Sequence, residues 1–350
     1  MAMAEIEVIG GGIFGLSVAY ACLMRGARVR LIERADIGAG ASGGVVGAMA
    51  PHTPDNWNDK KQFQFESLIA SAEYWRGVDE LSGMCSGYVS AGRIVPVMAE
   101  KDLPLAMARV QSAKGFWRGH AQWNVIPSGQ FPGWEPASPT GYLIHDTLTA
   151  HIDPAAACQS LAKAVTVLGG QIVLGQFRGK GADATVICTG YQGILDLSAE
   201  LGQSVGIGVK GQGLVLDHEA RGLPQIFADA LHIIPHANGT VAVGSTSERA
   251  FSDGNTTDGQ LDDILVQARQ LCPVLTGAAV LQRWAGVRPR ARKRTPILGR
   301  HPLRKNTFIA NGAFKIGFGV SVKVGEVMAD LVLNGAADIP QKFTVEGNLA

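Results

Sequence analysis

An α/β fold with a second, antiparallel lobe follows from three features of this 350-residue sequence. The chain opens on an apolar strand, a glycine turn and a helix, EIEVIGGGIFGLSVAYACLMRGARVRLIER, Glu5 to Arg34. Two later stretches, Gly87 to Ala99 and Ala230 to Ser247, alternate as antiparallel strands do. The length suffices for two lobes, and 46 % apolar against 17 % charged residues describes a packed chain rather than a disordered one.

Glu5 to Ile9 predicts the first strand. Gly10, Gly12 and Gly15 then fit GxGxxG. The first glycine permits the tight turn, the second lets the backbone approach a pyrophosphate, and the third lets helix and strand pack closely. A helix is expected from Ile13 to Arg25, with Leu16, Ala19, Tyr20 and Leu23 at helical spacing and Gly26 as its cap. Its N-terminus offers N–H groups and a positive dipole end to phosphates. Val29 to Ile32 is the second strand. Glu33 closes it, placed to accept hydrogen bonds from ribose hydroxyls and to repel a 2′-phosphate. These parts together make a Rossmann-type dinucleotide site and disfavour NADP. They leave NAD and FAD open, and a nucleotide-free doubly wound domain is the plainer alternative.

Further along, Phe131 to Gly141 carries Pro and Gly and reads as a loop, and Asn238-Gly239 signals a hairpin. A formal charge of +1 creates no bulk field for nucleic acid or membrane. No apolar run reaches the ~20 residues of a membrane helix. The start, MAMAEIEVIGGG, has no basic n-region, so a cytoplasmic protein is expected. Five scattered cysteines, Cys22, Cys85, Cys158, Cys188 and Cys272, read as buried reduced thiols, and no Cys/His metal spacing appears.

Ile37 to His52, IGAGASGGVVGAMAPH, is too rich in Gly and Ala for an amphipathic helix, and small residues let backbone lie against a flat ring. This segment resembles the flavin-side loop of the D-amino acid oxidase superfamily, the group with glycine oxidase and sarcosine oxidase. Four later segments resemble that family in order: HIDP (His151 to Pro154), TVICTG (Thr185 to Gly190), RWAGVRPRARKRTPILG (Arg283 to Gly299) and NTFIANGAFKIGFGVSVKVGEVMADLVLN (Asn306 to Asn334). The resemblance implies a discontinuous FAD-binding lobe (residues 1–80, 145–202 and 286–350) interleaved with an α+β substrate lobe on an antiparallel sheet (81–144 and 203–285). It implies cofactor contacts from Gly10, Gly12, Ile13, Phe14 and Gly15, and from Glu33 and Arg34. Ala41, Ser42, Gly43, Gly47, Ala48 and Met49 follow, then Phe177, Thr189 and Gly190. Gly312, Lys315, Ile316, Gly317, Phe318 and Gly319 complete the set. Between Ile172 and Thr189 the chain is shorter than the family's usual β-meander, which puts the Phe177 contact in doubt.

By the same resemblance Arg288, in WAGVRP, clamps a substrate carboxylate, a task for which the planar guanidinium fork is suited and lysine is not. The plain alternative is a surface arginine in the basic run Arg288, Arg290, Arg292, Lys293, Arg294. That run reads as a solvated face or as positive potential at the site's mouth. His232 falls where glycine oxidase-like proteins carry a tyrosine; it faces the substrate or rests on a strand face. Lys315 lies against the flavin, whose reduction adds negative charge, or forms a surface salt bridge. No cysteine follows Cys272, so FAD is expected to be held non-covalently; a role for His52 is left open. The implied activity is oxidation of the C–N bond of a small amino acid, with oxygen or another electron acceptor. The alternatives are oxidation of a carboxymethylamino group on a modified tRNA base and a non-catalytic flavoprotein.

Overall fold

A computed structural model describes residues 4–175 and 181–350; Phe177 lies outside the described residues. Two sheets organise them. The first has six strands in the order Ile297–Arg300, Thr307–Asn311, Ala184–Ile187, Glu5–Ile9, Arg28–Glu33, Gln171–Leu174. All pair in parallel except the Ile297–Arg300/Thr307–Asn311 hairpin. Glu5–Ile9 is central, and its Ile6 and Val8 are fully buried. A parallel strand buried on both faces favours such apolar runs.

Helices Ile13–Met24, Asp59–Ser82, Pro154–Val167 and Gly317–Asn334 pack on one another beside this sheet. Their apolar faces form one core with Val8, Leu31, Trp75 and Met328. Each helix end has a local cause. Gly26 adopts φ +81° after the first helix, as its sequence position predicts. Asp153 accepts hydrogen bonds from the backbone of Ala155 and Ala156 at 3.1 Å, and Pro154 follows it. A cap of this kind contributes about 1 kcal/mol. HIDP therefore works as a helix start. The closing helix begins at Gly317, where Val320 N–H reaches the Ile316 carbonyl at 3.1 Å.

The second sheet has eight strands: Val280–Ala291, Gly206–Leu216, Val241–Gly244, Leu231–Pro235, Gln225–Ala228, Arg93–Pro96, Tyr142–Asp146, Trp123–Pro127. They pair antiparallel except where Gln225–Ala228 runs along Arg93–Pro96. Leu231–Pro235 and Val241–Gly244 form the expected hairpin, with Gly239 at φ +85° in its loop. Leu214, Leu216, Ile233 and Val243 cover one face and pack with Leu261 and Leu265 of the helix Gln260–Leu271. Phe131 to Gly141 is a loop, pinned where buried Trp134 donates its indole N–H to the Pro224 carbonyl at 2.8 Å. Strands Tyr142–Asp146 and Val280–Ala291 run without a break across the boundaries expected at 144/145 and 285/286. Among the described residues no helix is long and apolar enough to cross a membrane. Four cysteines are buried, but Cys85 is exposed beyond the end of helix Asp59–Ser82, against expectation.

Candidate active site

One cavity of about 850 Å³ runs between the two sheets, from Gly10, Gly12 and Glu33 at one end to Arg288, His232 and Lys315 at the other. Its first end is mostly backbone. Gly10 adopts φ +111°, and a Cβ there would stand 2.4 Å from the Cys188 carbonyl oxygen. A Cβ on Gly15 would stand 1.9 Å from the Gly10 oxygen, so only glycine lets helix and turn meet. Glu33 ends its strand as predicted, and its carboxylate accepts the Gly11 N–H at 2.7 Å and the Ala35 N–H at 3.0 Å. Ser42 Oγ accepts the Ile13 N–H at 3.0 Å, which fixes the Ile37 to His52 loop on the helix start.

Two helix N-termini, at Gly12–Ile13 and Ile316–Gly317, border the cavity without an acidic residue in the first turn or a side-chain cap on the N-cap residue. Both offer a positive dipole end to negative groups. Volume, glycine cradle and the two helix N-termini together fit an elongated dinucleotide with a flat ring system.

The other end is built from side chains on the second sheet. Arg288 donates to Ser245 Oγ at 2.6 Å and to the Thr246 carbonyl at 3.2 Å. Its guanidinium lies over Gly211, where a Cβ would meet Nη2 at 1.9 Å. Gly286 makes the same room for the Trp284 ring, 2.4 Å from the position of a Cβ. The sheet face that carries Trp284 and Arg288 is thus cleared by glycine. Burial lowers the Arg288 pKa to about 10, with Glu248 opposing it, so the group stays charged. Behind it, Glu248 accepts from Gln212 Nε2 at 3.0 Å and from Thr246 Oγ1, and Gln212 N–H reaches Thr246 Oγ1 at 2.8 Å. These bonds hold the segment that presents Arg288 with its acceptors.

His232 lines the cavity, tilted on Phe227 at 4.6 Å between ring centroids. Burial, then the charges of Arg93, Lys315 and Arg288, push its pKa down to about 3, so the ring is neutral at pH 7. Its Nδ1 has no hydrogen-bond partner among the described residues. Lys315 also lines the cavity, with Nζ 5.8 Å from the Phe314 ring centroid, and makes no ion pair among the described residues. Burial and the nearby Arg288 lower its pKa.

Ile13, Phe14, Arg34, Ala41, Ser42, Gly47, Ala48, Thr189, Gly190, Gly312, Gly317 and Phe318 all lie on the wall. Gly15, Gly43, Met49, Ile316 and Gly319 lie behind it. Met49 is fully buried in the helical core, and Gly319 faces Gln64 and Leu68. His52 is also off the wall, held by Gln64. Arg292, Lys293 and Arg294 are exposed; Arg292 reaches the Leu349 carbonyl at 3.5 Å. Sequence reading missed Tyr191, Ser245, Phe251, Trp284 and Phe314, which also line the cavity. It missed Asn311 too, which donates to the Gly190 carbonyl at 2.8 Å and ties two wall turns together. Trp284 stands in the quoted WAGVRP segment, and the glycines at 211 and 286 were the available signal for side chains lying flat on the sheet.

The family profile described as "FAD dependent oxidoreductase" (DAO) matches residues 5–331. Glycine oxidase of Geobacillus kaustophilus is 27 % identical, covering 94 % of this chain and 92 % of that protein. Glycine oxidase of Bacillus licheniformis is 25 % identical over 93 % and 92 %. In fold, the chain is similar to the crystal structure of glycine oxidase from Geobacillus kaustophilus, with a TM-score of 0.83, 21 % identity and coverage of 98 % and 99 %. It is also similar to iminodiacetate oxidase from Chelativorans sp. BNC1, with a TM-score of 0.79, 22 % identity and coverage of 97 % and 98 %. A cavity suited to a dinucleotide and a profile match over nearly the whole chain agree: the chain belongs to the DAO family of FAD-dependent oxidoreductases, with FAD as its cofactor.

Proposed function

We propose that the chain oxidises the Cα–N bond of a small amine that carries a carboxylate, such as glycine, a D-amino acid or an N-alkyl amino acid. The carrying observation is Arg288: a half-buried, charged guanidinium on the cavity wall whose own hydrogen bonds go to neutral acceptors. A charge in that setting calls for an anionic partner, and its free N–H groups match a carboxylate fork. The names of the relatives, glycine oxidases, point the same way.

In this reading Gly10, Gly12 and the first helix end hold the pyrophosphate, and Glu33 takes the ribose. The turn from Gly312 to Phe318 holds the ring end. FAD is held non-covalently, because His52 is off the wall and bonded to Gln64. The bound flavin supplies a two-electron acceptor for the hydride from the substrate carbon. Arg288 fixes the carboxylate and with it the direction of the Cα–H bond. Neutral His232 offers a lone pair or an N–H to the substrate amine or carboxylate without adding charge. The positive charges of Arg288 and Lys315 favour entry of the amine in its neutral form, so no side-chain base is required. Trp284, Phe251 and Phe314 line the same cavity and add apolar surface beside Arg288. Loss of hydride from the neutral amine leaves an iminium stabilised by the nitrogen lone pair, and water hydrolyses it to oxo acid and ammonium or a protonated primary amine. Oxygen or another acceptor takes the two electrons.

The cofactor lobe would comprise 1–80, 145–202 and 286–350 and the substrate lobe 81–144 and 203–285, joined by strands Tyr142–Asp146 and Val280–Ala291. The test is anaerobic. FAD-loaded protein should lose its yellow absorbance with at least one of glycine, sarcosine, D-alanine or N-ethylglycine. Full retention of colour with every amine carboxylate would overturn the reading.

A further inference from the structure

The segment Arg249 to Thr257 forms neither helix nor strand. Its only hydrogen bond among the described residues, from the Asn255 N–H to Asp253 Oδ1 at 2.7 Å, stays inside the segment. Both of its ends are fixed by one side chain. Gln212 Oε1 accepts the Asp258 N–H at 2.8 Å, and Gln212 Nε2 donates to Asp258 Oδ1 at 2.9 Å and to Glu248 Oε1 at 3.0 Å. Lys210 adds a backbone pair with Glu248, 2.9 Å each way, and ion pairs with Glu248 and Asp258 at 3.5 and 3.3 Å. The segment is a strap with two anchored roots. Its middle meets the rest of the chain at two places on the cavity wall. Phe251 turns its ring edge-on to Tyr191, 6.5 Å between centroids and 66° between planes. Gly254 lies against Val287, where a Cβ would stand 2.3 Å from Cγ2. The Tyr191 ring is itself fixed over Gly208, where a Cβ would meet it at 2.6 Å. Ser252, Asp253, Asn255 and Thr256 are exposed, so the strap stands between the cavity and solvent. Lifting it breaks an aromatic contact and a van der Waals contact, and no hydrogen bond.

We infer that the strap Arg249 to Thr257 is a gate for FAD, hinged at the roots that Gln212 holds and latched by Phe251 on Tyr191. A dinucleotide enclosed between two sheets needs a passage, and a wall segment tied by no hydrogen bond opens more easily than the strands and helices around it. Tyr191 begins the helix Gly190–Leu201, which follows strand Ala184–Ile187 of the first sheet, whereas the strap follows strand Val241–Gly244 of the second. The latch therefore closes the cavity from one sheet to the other. It is a contact of chain with chain, made whether or not FAD is in place. Its loss changes the rates of entry and exit and leaves their ratio nearly as it was. The inference rests on FAD as the cofactor and not on the amine-oxidising reading, so its failure leaves that reading untouched.

Flavin fluorescence gives the rate of FAD release from the diluted holoenzyme and the rate of rebinding to the stripped chain, and titration gives Kd. Phe251→Ala should raise both rates about tenfold and move Kd by less than about threefold. Gly254→Ala forces the strap off Val287 without removing the Phe251 ring, and it should act in the same way. Tyr191→Phe keeps the ring edge and should keep the native rates. Faster release alone, with Kd rising in proportion, overturns the inference and makes Phe251 a direct contact of the cofactor. Native rates in both strap variants overturn it too, and place the passage elsewhere. A second readout needs no cofactor exchange. Arg249 is exposed, and trypsin cleavage after it should be faster in Phe251→Ala and in Gly254→Ala than in the native holoenzyme. Equal cleavage in all three means that the strap is not held by these contacts, and the gate is excluded.

Discussion

At the Glu5 to Glu33 end, the cavity wall is backbone held by glycine; at the Arg288 end, it is side chains laid on a glycine-cleared sheet. Both ends depend on missing Cβ atoms, but for opposite purposes. Gly10 and Gly15 let main chain approach main chain. Gly211 and Gly286 let Arg288 and Trp284 fold down against the strands. The first arrangement is rigid because every atom involved is tied to a strand or a helix. The second is adjustable because the obstructing atoms belong to long side chains. The two ends should therefore fail differently when the same small group is added.

The largest effect is expected at the backbone end. Gly15→Ala places a Cβ 1.9 Å from a carbonyl oxygen that cannot move without displacing the first strand. Overpacking of this kind costs about 1–3 kcal/mol or more. Purified Gly15→Ala should be colourless or nearly so, with a lowered Tm. Retention of a full complement of FAD would show that the turn is softer than its geometry indicates.

At the other end, Arg288→Lys should keep FAD and lose turnover. Lysine cannot reproduce the fork, so kcat/KM for a carboxylate substrate should fall by roughly 100-fold, mainly through KM. Unchanged kinetics would remove Arg288 from the site. Gly211→Ala tests the same end more gently. Its Cβ would overlap Nη1, Nη2 and Cζ of Arg288, which can swing away at the cost of its bonds to Ser245 and Thr246. KM should rise by about tenfold with flavin content unchanged. Loss of flavin instead would mean that the two ends are not independent.

The same contrast explains what could be read from the sequence. The backbone end is local: Gly10, Gly12, Gly15 and Glu33 lie within one βαβ unit of 29 residues, Glu5 to Glu33. Spacing alone therefore carried the chemistry. The substrate end joins Gly211, His232, Ser245, Arg288 and Lys315 from five separate segments. Their meeting is set by strand register, such as Val209 opposite Arg288 and His232 opposite Gly244, which no periodicity in one segment reveals. Arg288 and Lys315 were legible through family motifs; Asn311 stood in the quoted Asn306 to Asn334 segment without being singled out, and Ser245 and Phe251 carried no such marker. Met49 and Gly319 show the converse limit, since a segment that reaches the cavity still turns alternate residues to the core.

The smallest expected effect is one of pH, and it belongs to the side-chain end. His232 has a folded pKa of about 3 against the ordinary 6.5. Between those values the unfolded chain takes up a proton that the folded chain refuses. Its contribution to stability is therefore complete above pH 6.5 and declines as pH falls toward 3, by up to ~1.4 kcal/mol per pH unit. His151, pushed down to about 4 by burial and by His236, adds a second contribution of the same sign between 6.5 and 4. Urea unfolding at pH 7, 6 and 5 should give a falling stability for the native chain. His232→Gln should be measurably flatter over that range, since one of the two refused protons is gone. A slope identical to that of the native chain would mean that His232 takes up its proton in the folded state, which would place a third positive charge beside Arg288 and Lys315.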